Sequence, residues 1–429
     1  MFLQIHTLTS YHATLLNRDD AGLAKRIPFG DQIRLRVSSQ CLKRHWRENL
    51  HLTVPLPGGL RTRHFFQREI CQRLIDESGL GQELATRLTR SLIGLLLQKS
   101  DKPKTEKTER PKKGKKATAE QGSLDLQLDL EPSADSAAAD TGIDGLQVKQ
   151  PILFGKPEAD FLVGLLTECA AQGQGAEELL ETRLKGDKAN FKAMLRQAGH
   201  GNLFAGVEGA LFGRFVTSDI LARSDAAVHV AHAFTVHGLD TEVDYFTVVD
   251  DLNRDEETGA AHAGDMELGA GVFYGYVAVD VPLLVSNFTG SDPKDWRAQD
   301  SAEVRTVLKA LIRAIATVSP GAKLGATAPY AYSDFVLLEA GPQQPRSLAN
   351  AYLQSLRPHG NLTAQAVDAL AAHLKAQETI FGPTAERRAL ATTCAWTAEP
   401  KPQPLDTAVA AILNAVFGEE SHGHPAAAL

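Results

Sequence analysis

The sequence predicts an α+β fold, compatible with a ferredoxin-like βαββαβ core interrupted by insertions. Strand and helix patterns alternate near the amino terminus, and a strand–helix–strand pattern returns between Val228 and Glu339. Residues 64–98 and 158–198 instead keep helical spacing, which marks a helical subdomain inserted into the main fold. Two strand-like segments, Tyr245–Val249 and Val272–Tyr276, flank a long polar loop with Gly259, Gly264 and Gly269 and read as a protruding hairpin.

A chain of 429 residues, 43% of them hydrophobic, has room for two or three domains or for one domain with long insertions. Its formal charge of −7 argues against a generally basic nucleic-acid binder, but the charge is unevenly spread. Residues 1–73 hold 12 Lys/Arg against 5 Asp/Glu, so one face can attract a polyanion while the remainder of the chain is acidic. Cys41, Cys71, Cys169 and Cys394 are scattered without a C-x-x-C pair, which suggests neither a zinc site nor a disulfide framework and suits a reducing compartment. Apolar runs such as Leu95–Leu97 are far too short to span a bilayer, and no basic run precedes the first apolar residues. A cytoplasmic protein with no membrane partner is expected.

Phe2–Leu8 alternates, with Leu3 and Ile5 on one side and Gln4 and His6 on the other, and predicts a half-buried strand. The basic stretch Asn17–Arg47 follows as a polar loop, a short strand and a helix, bringing Arg18, Lys25, Arg26, Arg34, Arg36, Lys43, Arg44 and Arg47 towards one surface. Ser38 or Ser39 caps the helix, and Leu42, Trp46 and Leu50 form its apolar stripe. Lys43 and Arg47 stand four apart, where like charges cost an isolated helix roughly 0.2–0.5 kcal/mol, a penalty that a bound phosphate reverses. A solvated basic face explains the same charges.

Val54–Gly59 is a turn rich in proline and glycine, and Phe65, Ile70, Leu74, Leu84, Leu88, Leu92 and Leu95 are core positions of the helical segment after it. Residues 102–148 have too little apolar surface to offset the entropy of ordering them; a Lys-rich half precedes an acidic one, and a mobile insertion is expected. Val228, Val230, Phe234 and Val236 alternate as a strand. Of the histidines there, His229 and His237 share a face, but His232 has the opposite parity and no cysteine or spaced carboxylate completes a metal site. The series Gly269, Gly271 and Gly275 has the wrong spacing and context for a dinucleotide fingerprint, and there is no Walker A sequence, so no cofactor is expected. Ser301–Val318 predicts an amphipathic helix, Pro320-Gly321 stops it, and Asp334–Glu339 reads as a strand. An Ala-rich helix is expected around Ala364–Leu374, and residues 400–429, with His422 and His424, read as a flexible tail.

Asn17-Arg18-Asp19-Asp20, Phe29-Gly30, Arg34-Leu35-Arg36-Val37-Ser38-Ser39-Gln40 and Leu42-Lys43-Arg44 resemble the amino-terminal signature of the CasC family. Members form the repeated backbone of Cascade, the type I-E CRISPR surveillance complex, and belong to the RAMP superfamily. Leu211-Phe212-Gly213-Arg214 and the helix, turn and strand around Pro320-Gly321-Ala322-Lys323 resemble later family blocks. The resemblance implies a modified RNA-recognition-motif-like palm (1–60 and 200–400), helical fingers (61–199) containing the 102–148 segment, and a thumb hairpin (245–276). Copies are expected head to tail on a CRISPR guide RNA with other Cascade subunits, presenting the guide to target DNA without reading its sequence.

By the same resemblance, Arg18, Lys25, Ser38, Gln40, Lys43 and Arg44 contact the guide. Arg34 and Arg36 either meet phosphate or brace their strand, and Arg47 occupies a matching basic position. Met266 and Leu268, near the hairpin tip, are the expected wedge into the guide–target duplex, and Lys323 is a further candidate contact. Family members carry a more basic run where this chain has Asp31-Gln32-Ile33, a departure that undercuts a contact there. No enzymatic activity is expected. The alternative is a metal-dependent ribonuclease using Asp19 and Asp20, as related type III backbone subunits cleave target RNA with a loop Asp; neighbouring arginines give the same acids a structural role.

Overall fold

Alternation in the amino-terminal segment continues past Leu8. In the computed structural model, which describes residues 1–97, 142–148, 150–185, 194–195, 203–214, 224–248, 262–322 and 324–419, strand β1 (Phe2–Thr14) lies inside an antiparallel sheet. Along that sheet the order is β11 (Arg387–Thr392), β10 (Phe335–Gly341), β1, β9 (His262–Asp280), β7 (Ala233–Thr235), β3 (Gln32–Val37) and β2 (Arg26–Phe29). Strands β6 (Val228–Val230) and β8 (Thr241–Val248) also pair with β9. The fold is thus mixed α+β, built on an antiparallel sheet.

The chain divides into two compact units, Met1–Leu56 with Ala227–Leu429, and Pro57–Ala226. In the first, both faces of the sheet are covered. Ile5, Thr7 and Thr9 of β1, with Phe273 and Val277 of β9, meet Leu42 and Trp46 of α1 (Ser39–Thr53) and Ile315 of α8 (Ala302–Thr317). On the other face Leu8, Tyr274 and Leu337 pack with Val367 and Leu370 of α10 (Leu362–Phe381).

Burial on both sides corrects the half-buried expectation for β1: Gln4 and His6 are interior as well as Leu3 and Ile5. They are accommodated by hydrogen bonds. Gln4 Oε1 accepts from Tyr276 Oη at 2.8 Å and Arg346 N at 2.8 Å. His6 Nδ1 lies 2.9 Å from Tyr274 Oη and Nε2 lies 3.2 Å from Glu339 Oε2, a carboxylate also held by Arg346 and Arg388. Buried polar groups persist only with such partners, and none of these pairings is visible in local spacing.

In the second unit, β4 (Gly59–Thr62) pairs with β5 (Ile152–Gly155), and a π-helical turn (Phe66–Cys71) leads into α2 (Gln72–Asp76) and α3 (Gln82–Leu97). Helices α4 (Lys156–Ala170), α5 (Ala176–Lys185) and α6 (Gly206–Phe212) follow. Phe65, Ile70, Leu74, Leu88, Leu92 and Leu95 are buried at the predicted positions, and Leu84 is partly buried against them. Phe65 stacks on Phe154 at 3.9 Å between ring centroids. Arg214, in the family-like block, is buried and holds Glu158 with bonds of 2.7 and 2.9 Å.

Two boundaries differ from the sequence reading. The described chain resumes at Gly142, and Leu146 and Val148, placed in the mobile insertion, belong to this core. The rest of the insertion, with Lys323, His422 and His424, lies outside the described residues. Within the expected flexible tail, Leu405–Phe417 forms helix α11, which buries Ala408, Val409, Ile412, Leu413 and Val416. Its apolar positions recur at helical spacing and Pro404 precedes its first residue, a start signal that the Pro-punctuated flank obscured. Among the described residues no helix is long and apolar enough to cross a membrane.

Candidate nucleic-acid interface

The basic loop is held by its own backbone and by one carboxylate. Asp19 Oδ1 accepts from Ala21 N and Leu23 N at 3.0 Å each, and Asn17 Oδ1 accepts from Ser38 N at 3.0 Å. Lys25 N donates to Asn17 O at 2.9 Å, and Arg36 N to Lys25 O at 2.9 Å, which ties loop to strand. Buried Glu267 on β9 accepts from Ala24 N at 2.7 Å and pairs with Arg26, so Arg26 is committed to a structural partner. Ser38 Oγ then caps α1, accepting from Cys41 N at 3.3 Å, and Leu42, Trp46 and Leu50 are the buried stripe that the spacing predicts.

This scaffold opens a cleft of about 720 Å³ in which Arg18, Ser38, Gln40 and Arg44 line one side and Gly321, Ala322 and Leu324 the other. A bond of 2.9 Å from Ala322 N to Leu15 O joins the two sides. Lys25 and Arg36 line an adjoining hollow with Asn17. Arg44 is 70% exposed in its side chain and pairs with Glu48, its Nε donating to Glu48 Oε1 at 2.9 Å; that bond holds the Arg44 pKa above the ordinary value. An arriving phosphate would compete with Glu48 for that guanidinium. Lys43 and Arg47 are half-buried on α1 and are not among the cleft-lining residues.

Arg34 departs from the expected set. It is fully buried; Nη1 donates to Thr235 O at 3.2 Å, and Nη2 to Tyr352 O at 3.0 Å and Asp31 Oδ1 at 3.1 Å. Of the two roles open to it, it braces the strand, because Thr235, Tyr352 and Asp31 enclose its guanidinium, whereas Arg36, on the same nominal face of β3, stays half-buried. Asp31 extends the brace: it accepts from Ser355 N at 2.8 Å and Ser355 Oγ at 2.9 Å, bonds that lower its pKa although the residue is exposed. Gly30 makes the close approach possible, with φ of +63° and a Cβ position only 1.7 Å from Leu353 O.

On the hairpin, β9 begins at His262, not at Val272, and continues through Met266 and Leu268, which pair with Asp244 and Glu242. Both are therefore half-buried stem residues, not tip residues; residues 249–261 lie outside the described set. The most exposed apolar side chains of the stem are on β8, with Val243 62% and Tyr245 68% exposed. Sequence reasoning missed them, although their i, i+2 spacing places them on one strand face. The predicted single strand around the histidines is interrupted at Ala231 and His232. His232 bonds Arg36 and His237 is buried, its pKa lowered by burial. Among the described residues no group of three or more His, Cys, Asp or Glu could hold a metal ion.

A family model described as CT1975-like protein matches residues 3–416. The chain belongs to this family. That agrees with the CasC resemblance carried by residues 17–44 and makes the family one of CRISPR Cascade backbone subunits. No curated protein matches the sequence. Among solved structures, a chain of a "CRISPR RNA-guided surveillance complex, pre-nicking" is similar with a TM-score of 0.70 and 24% identity, covering 97% of this chain and 100% of that one. A chain of a "CRISPR RNA-guided surveillance complex" is similar with a TM-score of 0.62 and 20% identity, again over 97% and 100%. Both likenesses are of fold, and they extend over nearly the whole chain.

Proposed function

We propose that the protein is a non-enzymatic backbone subunit of a CRISPR surveillance complex, holding guide RNA by its sugar and phosphate groups and presenting it for pairing with target DNA. The observation that carries this reading is the convergence of Arg18, Ser38, Gln40 and Arg44 on one cleft, with Lys25 and Arg36 beside it. Cationic and hydroxyl donors facing an open cleft suit a backbone that runs past them, since backbone contacts position a strand without reading its bases. Lys43 and Arg47 extend the basic surface along α1. In this reading the large sheet is a ferredoxin-like palm, Pro57–Ala226 the fingers and the β8–β9 hairpin a thumb. Copies stack head to tail; a heterologous contact that does not close generates a filament whose length the RNA limits. The use of Asp19 Oδ1 as a loop cap favours its structural role over metal-dependent cleavage.

Two measurements test the proposal. Purified protein should elute with RNA as a large species, and sequencing should recover protected fragments at regular spacing; a nucleic-acid-free monomer that cuts RNA on addition of Mg²⁺ would reverse the assignment. Lys43→Ala with Arg44→Ala should weaken binding to all RNA sequences and reduce the salt slope by about 0.7 per lost phosphate contact. Loss confined to particular sequences would contradict backbone holding.

A further inference from the structure

Arg36 connects the basic surface to a group that the backbone reading leaves unused. Its Nε donates to Arg26 O at 3.2 Å, and its Nη1 lies 3.0 Å from His232 Nδ1. A guanidinium has donors only, so the accepting Nδ1 is the bare nitrogen and the ring proton sits on Nε2. His232 stands exposed between β6 and β7, where the pairing of Arg36 with Phe234 brings the turn against β3. No partner of Nε2 is present among the described residues. Burial, then the charges of Arg36 and Lys25, hold the imidazole below its ordinary pKa of 6.5 and keep it neutral at neutral pH.

The cluster therefore offers two kinds of donor side by side. Lys25 and Arg36 are permanent cations and suit an ionised phosphate. His232 Nε2–H is a neutral donor that cannot accept, and it suits an uncharged oxygen. Along an RNA backbone the uncharged oxygen nearest each phosphate that DNA lacks is the ribose 2′-hydroxyl.

We propose that Lys25, Arg36 and His232 form a ribose–phosphate subsite, the cations holding a phosphate and His232 Nε2–H donating to a neighbouring 2′-hydroxyl. The protein thereby prefers RNA to DNA of the same sequence. This rests on the backbone-holding reading and adds to it the source of sugar selectivity.

The test is a set of anisotropy titrations of the full-length protein with an RNA oligonucleotide and its all-deoxy counterpart at several salt concentrations. His232→Ala should weaken RNA binding by roughly threefold to tenfold, the range of one neutral hydrogen bond, and leave DNA binding unchanged. The salt slope should not move, because no charge is lost. His232→Gln should restore most of the preference, since its Oε1 can accept from Arg36 while its amide donates. Equal losses for RNA and DNA, no loss for either, or a flattened salt slope would overturn the subsite. The two hypotheses separate cleanly: failure of the wild-type protein to bind either oligonucleotide removes the backbone reading as well, whereas an unchanged RNA preference in His232→Ala removes the subsite alone.

Discussion

Arg34 and Arg36 stand two apart in sequence, yet one is sealed in the interior and the other faces the cleft's neighbour. The ladder of β3 does not by itself separate them, since residues two apart share a nominal face; the approach of Tyr352 and Thr235 encloses the first, and the exposed turn at His232 leaves the second accessible. Burial lowers the pKa of the Arg34 guanidinium while Asp31 opposes that shift. Arg34→Met should lower stability by about 3 kcal/mol, because two carbonyls lose their donor, and should leave the salt slope of RNA binding unchanged. A urea midpoint equal to wild type would show that the bracing is dispensable. Periodicity could find both arginines but could not distinguish them, because their difference arises from segments some 200 and 318 residues away.

At the scale of the element, α1 was the most legible part of the site. Its cap, its apolar stripe and its absence of breakers all act within a few residues. The hairpin was legible as a hairpin but not in its length, because Gly264 and Gly269 read as loop residues while cross-strand pairing holds them in β9. Gly264 admits the ring of Phe246, whose Cζ would lie 2.7 Å from a Cβ at that position. If the stem meets the guide–target duplex through its exposed face, Val243→Ser with Tyr245→Ser should weaken target pairing and leave guide binding and melting temperature intact. Met266→Ser with Leu268→Ser should instead lower stability by about 1–2 kcal/mol through lost apolar burial. Target affinity measured beside thermal melting separates the two pairs, and unaffected pairing in the first variant would dismiss that face as the wedge.

Across the whole sheet, the His6–Glu339 network makes stability depend on pH. Burial lowers the pKa of His6 from its ordinary 6.5. For Glu339 burial acts to raise the pKa, but the hydrogen bonds of His6 and Arg346 outweigh it and hold the carboxyl below its ordinary 4.5. The neutral ring therefore donates from Nε2 to Glu339 and accepts from Tyr274 at Nδ1. In both cases the unfolded chain binds protons that the native chain resists, so stability is retained above the ordinary value and declines as pH falls below it. Urea midpoints should be flat above pH 6.5, fall first through the His6 window and then further below pH 4.5. His6→Gln should shrink the upper decline to the part that His232, His237 and His373 contribute, and retain the lower one; an unchanged profile in that variant would assign the upper decline to those other groups.

Local sequence determined the helices, the caps, the order of strands and helices, and the basic stretch that marks the family, because each depends on periodicity, hydroxyl placement or charge within a few residues. Tertiary structure alone decided which alternating positions were interior, how far pairing extends the β8–β9 stem, and that His232 meets Arg36 across 196 residues. Those outcomes depend on hydrogen bonds and apolar contacts between distant segments, whose partners come together only when the sheet is assembled.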